Sequence, residues 1–226
     1  MLQKTRGIVI NYLRYRETSV IVKIYTEEFG LQSYIENSVR TPKARNKIAL
    51  FQSLTLLELV VYHRPDGGLT RLSEVRCHTP FSSLPYDFYK ASMAMFLTEV
   101  LSKALKEEAG NSVLFAFLFD SILIFDQLEA DFENFHLQFL LKLSRYLGFE
   151  PESAEEIFGQ LELVARPQPE ETQLLDQLIR SRYGERIKVS HWLRRNALDY
   201  IVAFYRLHVE NFGEIKSLSV LQEVMK

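Results

Sequence analysis

The run Ser19-Val20-Ile21-Val22-Lys23-Ile24-Tyr25, then Glu27-Glu28-Phe29-Gly30, then Leu31-Gln32-Ser33-Tyr34-Ile35-Glu36 decides how the first third of the chain folds. Side chains alternate between faces along a strand. Val20, Val22 and Ile24 therefore share one side of the first segment, and Ser19, Ile21, Lys23 and Tyr25 the other. Gly30 suits the left-handed position of a tight hairpin. After it, Leu31, Ser33 and Ile35 oppose Gln32, Tyr34 and Glu36. An antiparallel strand pair is predicted.

Working outward, Gly7 to Leu13 is rich in β-branched residues and reads as a preceding strand. Val39 to Lys47 is polar and basic, a loop. Leu54 to Tyr62 is a strongly apolar strand. Pro65-Asp66-Gly67-Gly68 is a turn, and Leu69 to Val75 a fifth strand. Short strands closed by tight turns fit a small barrel, because closure removes exposed edges. The pattern alone leaves an OB-like and an SH3-like barrel both open.

From Pro80 the period becomes helical. Tyr89, Met93, Phe96, Val100, Leu101, Ala104 and Leu105 form one stripe. Asn111 is read as the cap of an apolar helix to Leu128, and Asp131 as the cap of a helix ended by Gly148. Ser153 to Glu156 has capping-box spacing. Pro167 and Pro169 mark a break. Further helices are predicted from Pro169 to Arg182, Ser190 to Asn211 and Ser217 onward. The predicted fold is α+β: a five-stranded barrel domain over 1–80, then an all-α domain over 81–226. No internal repeat is evident.

The 226 residues are 47% hydrophobic and 25% charged, ordinary for a packed globular chain. The single cysteine, Cys77, excludes an internal disulfide and a cysteine-built zinc site. The first residues lack the apolar run of a secretion signal, and Val113 to Phe125 is too short to span a bilayer. A cytoplasmic chain without membrane association is expected. Net charge is −2, yet residues 1–80 carry 12 Lys+Arg against 7 Asp+Glu, while 81–226 carry 15 against 22. A polyanion senses the local excess, not the total.

The catalytic search is negative. There is no Gly-x-Ser-x-Gly elbow, phosphate-cradling glycine loop or dinucleotide fingerprint, and the histidines show no metal-ligand pairing. No enzyme activity, cofactor or metal is expected. Two basic sets stand out instead. Arg40, Lys43, Arg45 and Lys47 fall within one acid-free stretch. Beside them, the strand 2–3 hairpin is expected to present Lys23, Tyr25, Gln32 and Tyr34, cations for phosphate and rings for bases. Packing of the two tyrosines against helices is the competing reading. The second set runs from Arg180 to Arg206, with Arg194 and Arg195 at its centre. A solvated face with intrahelical ion pairs is the alternative there.

Several segments together resemble the bacterial RecO family: Lys4 to Val9, Tyr15-Arg16-Glu17-Thr18-Ser19-Val20, Thr26 to Gly30, Val39-Arg40 followed by Lys43, Gly68-Leu69 with Leu72 and Glu74, and Ile215 to Leu221. Their order and spacing carry the resemblance; no single motif does. It implies an OB fold with a helical domain, binding of single- and double-stranded DNA, strand annealing, and partnership with RecR. It also implies contact with the acidic tail of the single-stranded DNA-binding protein, and loading of RecA in the RecF pathway at the nucleoid. The family's basic positions fall on Arg40 and Lys43, with Arg14, Arg16 and Lys23 as weaker matches. Many relatives carry a four-cysteine zinc knuckle, which this chain lacks, so packing over about 149–184 is expected to replace it. Ser38 stands where relatives often have glycine. A protein-interaction scaffold that touches DNA only indirectly remains the alternative.

Overall fold

The computed structural model describes residues 2–37, 39, 45–63, 68–106, 110–163 and 165–226. Its strands are β1 (Leu2–Tyr15), β2 (Ser19–Thr26), β3 (Gly30–Glu36), β4 (Leu56–Tyr62) and β5 (Thr70–Cys77). They close into a barrel in the order β1-β2-β3-β5-β4. All neighbours are antiparallel except β3 and β5, which meet in parallel at Tyr34–Thr70 and Ile35–Arg71. A short helical turn, α1 (Arg45–Ile48), continues through a 3-10 turn to Phe51 between β3 and β4.

β1 is longer at both ends than the predicted Gly7–Leu13, because it serves two sheets. Its first half pairs with β4 from Leu2–Tyr62 to Ile8–Leu56, and its second half pairs with β2 down to Tyr15–Ser19. The register slips between Val9 and Asn11, a bulge that bends the strand around the corner. Gly7 lies at that corner facing inward. A Cβ there would stand 2.6 Å from Ile24 Cγ2 and 2.7 Å from Leu59 Cδ1, so any larger residue would force those core side chains to shift. Gly30 has φ 64°, the left-handed hairpin position the sequence assigned to it.

The barrel core is Val9, Val20, Val22, Ile24, Tyr34, Val39, Phe51, Leu57, Leu59, Val61 and Leu72. Each fully buried aliphatic or aromatic side chain contributes about 1.5–3 kcal/mol. β4 begins at Leu56 and not Leu54: Leu54 has φ 64°, and its N–H bonds Val9 O at 2.9 Å.

The helices are α2 (Phe88–Ala104), α3 (Ser112–Gln127), α4 (Phe135–Leu147), α5 (Ala154–Gln160), α6 (Pro169–Arg180), α7 (His191–His208) and α8 (Ser217–Val224). Asn111 caps α3 as predicted, accepting from Leu114 N at 3.0 Å. Asp131 does not cap α4; that position belongs to Asn134. On α2 the stripe of Met93, Phe96, Val100, Leu101 and Ala104 is buried, but Tyr89 is 48% exposed. Its neighbour Lys90 goes inward and donates from Nζ to Ser83 Oγ at 2.6 Å.

The chain forms two compact units, Met1–Leu123 and Ile124–Lys226. The change from strand to helix falls near residue 80, as predicted, but the first unit includes α2 and most of α3. One reason is local: Arg6 on β1 makes a two-pronged ion pair with Glu27 at 2.7 and 2.8 Å, and its guanidinium lies 5.3 and 4.9 Å from the Phe115 and Phe119 rings of α3. Among the described residues, no helix is long and apolar enough to cross a membrane.

Candidate nucleic-acid interface

Strand register sorts the outer face of β1, β2 and β3 into rows. Tyr25 opposes Leu31 and Ile8; Lys23 opposes Ser33 and Asn11; Ile21 opposes Ile35 and Leu13. The first row is covered. Tyr25 is 3% exposed, its ring stacked 6.3 Å from Phe115, and burial pushes its phenol up to about 12. The other rows are open: Asn11 and Leu13 are exposed, Lys23, Ser33, Ile21 and Ile35 half-buried, and Arg71 of β5 extends the last row beyond Ile35. An apolar floor of Leu13, Ile21 and Ile35 is thus flanked by Lys23 and Arg71.

The β1–β2 hairpin rises beside this floor. Tyr12, Arg14 and Arg16 are exposed, and the Arg16 guanidinium lies 5.2 Å from the Tyr15 ring. Arg16 has φ 53°, the left-handed region that closes the turn. Arg14 opposes Val20, which opposes Glu36 at the end of β3. Glu36 is buried and ion-paired to Lys47. Register and pairing thus set Arg14, Lys47 and Arg71 toward the end of β3, Arg16 at the β1–β2 turn and Lys23 one row further in.

The expected face of Lys23 with Tyr25, Gln32 and Tyr34 does not exist. Register sets Tyr34 opposite Val22 and Gln32 opposite Ile24, on the inner side. Tyr34 is 2% exposed within the core, and burial pushes its phenol well above its ordinary range. Gln32 donates to Phe29 O at 2.7 Å. The alternation within each strand was read correctly, but the two faces were matched one residue out of register. Tyr12, Tyr15 and Arg71 were not among the expected contacts: Tyr15 lies beyond the predicted end of the first strand, and the place of Arg71 beside Ile35 follows from the β3–β5 pairing. Arg40 and Lys43, and the Arg45 side chain, lie outside the described residues.

In the second unit the two central arginines part company. Arg194 Nε donates to Asn134 Oδ1 at 3.0 Å, and burial holds its guanidinium below the usual arginine range. Arg195 is exposed. Asp199, one turn on, feels the charges of both Arg195 and Arg206, although desolvation, the larger effect, raises its carboxyl.

The zinc-less segment is knit by hydrogen bonds. Gln138 of α4 donates to Ser181 Oγ at 2.7 Å and Arg182 O at 2.8 Å, and Lys142 Nζ to Ser181 O at 2.7 Å. Buried Glu171 accepts from Gln168 N at 2.6 Å, Asn196 Nδ2 at 2.7 Å and the Tyr200 hydroxyl at 3.2 Å. These donors do not fit a thiolate-bound metal. Among the described residues, no three His, Cys, Asp or Glu side chains come together as a metal site.

A closed barrel of this strand order, with an open face on β2 and β3, is an OB fold, a class that binds oligonucleotides and oligosaccharides there. The family profile described as "Recombination protein O N terminal" matches residues 1–81, and that described as "Recombination protein O C terminal" matches 85–219. Proteins named DNA repair protein RecO are similar over nearly the whole length. The one from Bacteroides fragilis is 41% identical over 240 residues, covering 99% of each chain. That from Phocaeicola vulgatus is 40% identical over 239 residues, again 99% of each. That from Flavobacterium johnsoniae is 35% identical over 233 residues, 98% of each. The chain belongs to the RecO family of DNA repair proteins.

Proposed function

We propose that this chain is a non-catalytic recombination mediator that binds single- and double-stranded DNA, anneals complementary strands, and works in the cytoplasm at the nucleoid. The observation that carries the reading is the apolar floor of Leu13, Ile21 and Ile35 with Lys23 and Arg71 in its rows, and exposed Arg14 and Arg16 on the adjoining β1–β2 hairpin. Cations neutralise phosphate while Leu13, Ile21, Ile35 and the rim tyrosines accept base faces, a combination that suits sequence-independent strand binding. The barrel over 1–80 is the DNA-binding part and 81–226 the helical part. RecR, RecA and the acidic tail of the single-stranded DNA-binding protein are the proposed partners, on the strength of the family.

Titration of labelled single strands across a salt series tests this. If four to six phosphates are neutralised, log affinity falls with log salt at a slope of about −3 to −4. Replacing Arg14, Arg16 and Arg71 with Gln flattens the slope, as does replacing Arg40, Lys43 and Arg45. An unchanged slope for both variants refutes the reading. Annealing, with and without the single-stranded DNA-binding protein, follows the same variants.

One observation favours a second reading, an interaction scaffold. Tyr86, Phe88, Tyr89 and Met95 are exposed near the start of α2, where Asp87 caps the helix and Lys90 is buried. Aromatics and Met with little charge resemble the core of a protein–protein contact, not a phosphate track. Ser substitutions at Phe88 and Tyr89 that abolish RecR binding but leave DNA affinity intact would favour it.

A further inference from the structure

Burial along β1 changes abruptly at its bulge. Thr5 to Ile10 are buried or half-buried, whereas Asn11, Tyr12, Leu13 and Arg14 are all exposed, on both faces of the strand. Their β2 partners differ: Val20 and Val22 are core residues, and Ile21 and Lys23 are half-buried. The β1 lane of the hairpin is therefore open on both sides while the β2 lane anchors it. Leu13 is 65% exposed, in a row whose other members, Ile21 and Ile35, are half-buried. Exposed Arg14 and Arg16 follow it closely, and Glu17 is the one acid from Asn11 to Thr18. Arg16 turns the chain at φ 53°, a left-handed conformation that costs free energy and is retained at ligand clamps.

Resting on the DNA-binding reading, we propose that the β1–β2 hairpin is a wedge for double-stranded DNA. Leu13 enters between two base pairs from the minor groove, and Arg14 and Arg16 meet the flanking phosphates. Side-chain chemistry favours a duplex over a single strand at this point. Splayed bases stack on flat rings. Tyr15, the ring two residues on along the same face, already has the Arg16 guanidinium 5.2 Å from it. A branched aliphatic side chain is instead the kind that pushes into a base step and unstacks it. Adjacent side chains of a strand point to opposite faces, so the hairpin reaches bases with Leu13 and a backbone with Arg14. Two cations to one acid suit a polyanion better than an apolar protein surface.

The full-length chain is titrated with a duplex carrying donor and acceptor dyes at its two ends, and separately with an oligothymidine strand. Wild type should raise energy transfer as it binds the duplex, reporting a bend of about 20–90°. Leu13→Ala and Leu13→Gln should lose that rise while binding oligothymidine as wild type does. Leu13→Phe, which keeps an apolar wedge, should retain it. Arg14→Gln and Arg16→Gln should each lower the duplex salt slope by about one. Thermal melts confirm that each variant is folded. A wild-type chain that binds only the single strand, or binds the duplex without bending it, overturns the wedge and leaves the DNA reading standing. So does a Leu13→Ala chain that bends the duplex fully. Equal weakening of duplex and single strand by Leu13→Ala would return Leu13 to the floor and also overturn the wedge. A wild-type chain that binds neither DNA overturns the DNA reading and the wedge with it.

Discussion

Asn134 holds Arg194 in place: its Oδ1 accepts from Arg194 Nε at 3.0 Å while its Nδ2 donates to Ile187 O at 2.9 Å. The start of α4, the segment before α7 and α7 itself are thereby joined through one amide. The arginine expected as a DNA ligand thus has a structural partner within the second unit. Arg194→Met should lower the stability of the chain by about 1–3 kcal/mol, since a buried acceptor loses its donor. It should leave the salt slope of DNA binding unchanged. Arg195→Gln should move the melting transition by no more than about 0.5 kcal/mol. Thermal melts paired with salt titrations separate the two arginines, and a lost phosphate contact in Arg194→Met would refute this assignment.

His136 and Tyr25 set opposite ends of a pH window. Burial, reinforced by the Arg194 charge, pushes the His136 imidazole down from 6.5 to about 3. A group whose folded value is depressed contributes stability above its unfolded value and loses it as pH falls toward the folded one. Stability should therefore decline as pH drops from about 6.5 toward 3. Tyr25 works the other way. Its raised phenol contributes fully below the unfolded value of 10, and the contribution is lost as pH rises toward 12. Imidazole NMR signals of His136 should show no protonation step near neutrality. Phenolate absorbance should show Tyr25 ionising after the surface tyrosines, and Tyr25→Phe should blunt the alkaline decline.

Two glycines outside the barrel make a controlled pair. A Cβ on Gly110 would lie 2.3 Å from Glu27 O and 2.5 Å from Glu28 O, backbone atoms that cannot swing aside. Gly110→Ala should cost about 1–3 kcal/mol by overpacking. Gly159 sits inside α5 with nothing within 4 Å of its added Cβ. Gly159→Ala should stabilise by roughly 0.5–1 kcal/mol, because alanine loses less backbone freedom in a helix. Denaturant midpoints check both signs.

The barrel was legible because its signals are local. The alternation of Val20, Val22 and Ile24, the left-handed Gly30 and the change of period after Pro80 are all properties of neighbours in sequence; the turn expected at Pro65 to Gly67 lies outside the described residues. The strand order β1-β2-β3-β5-β4 and the site were less legible because register is a property of pairs of segments. Nothing within Leu31–Glu36 says that Tyr34 meets Val22; that follows from the hairpin closing at Thr26–Gly30. Likewise, nothing near Lys47 reveals Glu36, and nothing near Arg194 reveals Asn134, sixty positions away. Charge patterns give the sign of a surface but not which of its members are already paired.

The junction of α4 with the end of α6 gives the last test, because hydrogen bonds tie the two together. Gln138 is 1% exposed, and its amide serves both Ser181 Oγ and the Arg182 carbonyl. Lys142 adds a bond to Ser181 O and sits 5.7 Å from the Tyr183 ring, with burial pulling its ammonium below the usual lysine range. The end of α6 is thus tied to α4 by polar groups, of which Gln138 and Ser181 are buried from water. Gln138→Leu keeps the bulk but removes the donor, leaving the Arg182 carbonyl short of one bond, so it should cost about 1–3 kcal/mol. Gln138→Glu should cost at least as much, since it also sets a carboxylate against a carbonyl oxygen. A chelator should leave the melting midpoint of the wild-type chain where it was, and the Gln138 variants should lose stability equally with and without it. A midpoint that falls on chelation would mean that a bound metal, not this amide, anchors the junction.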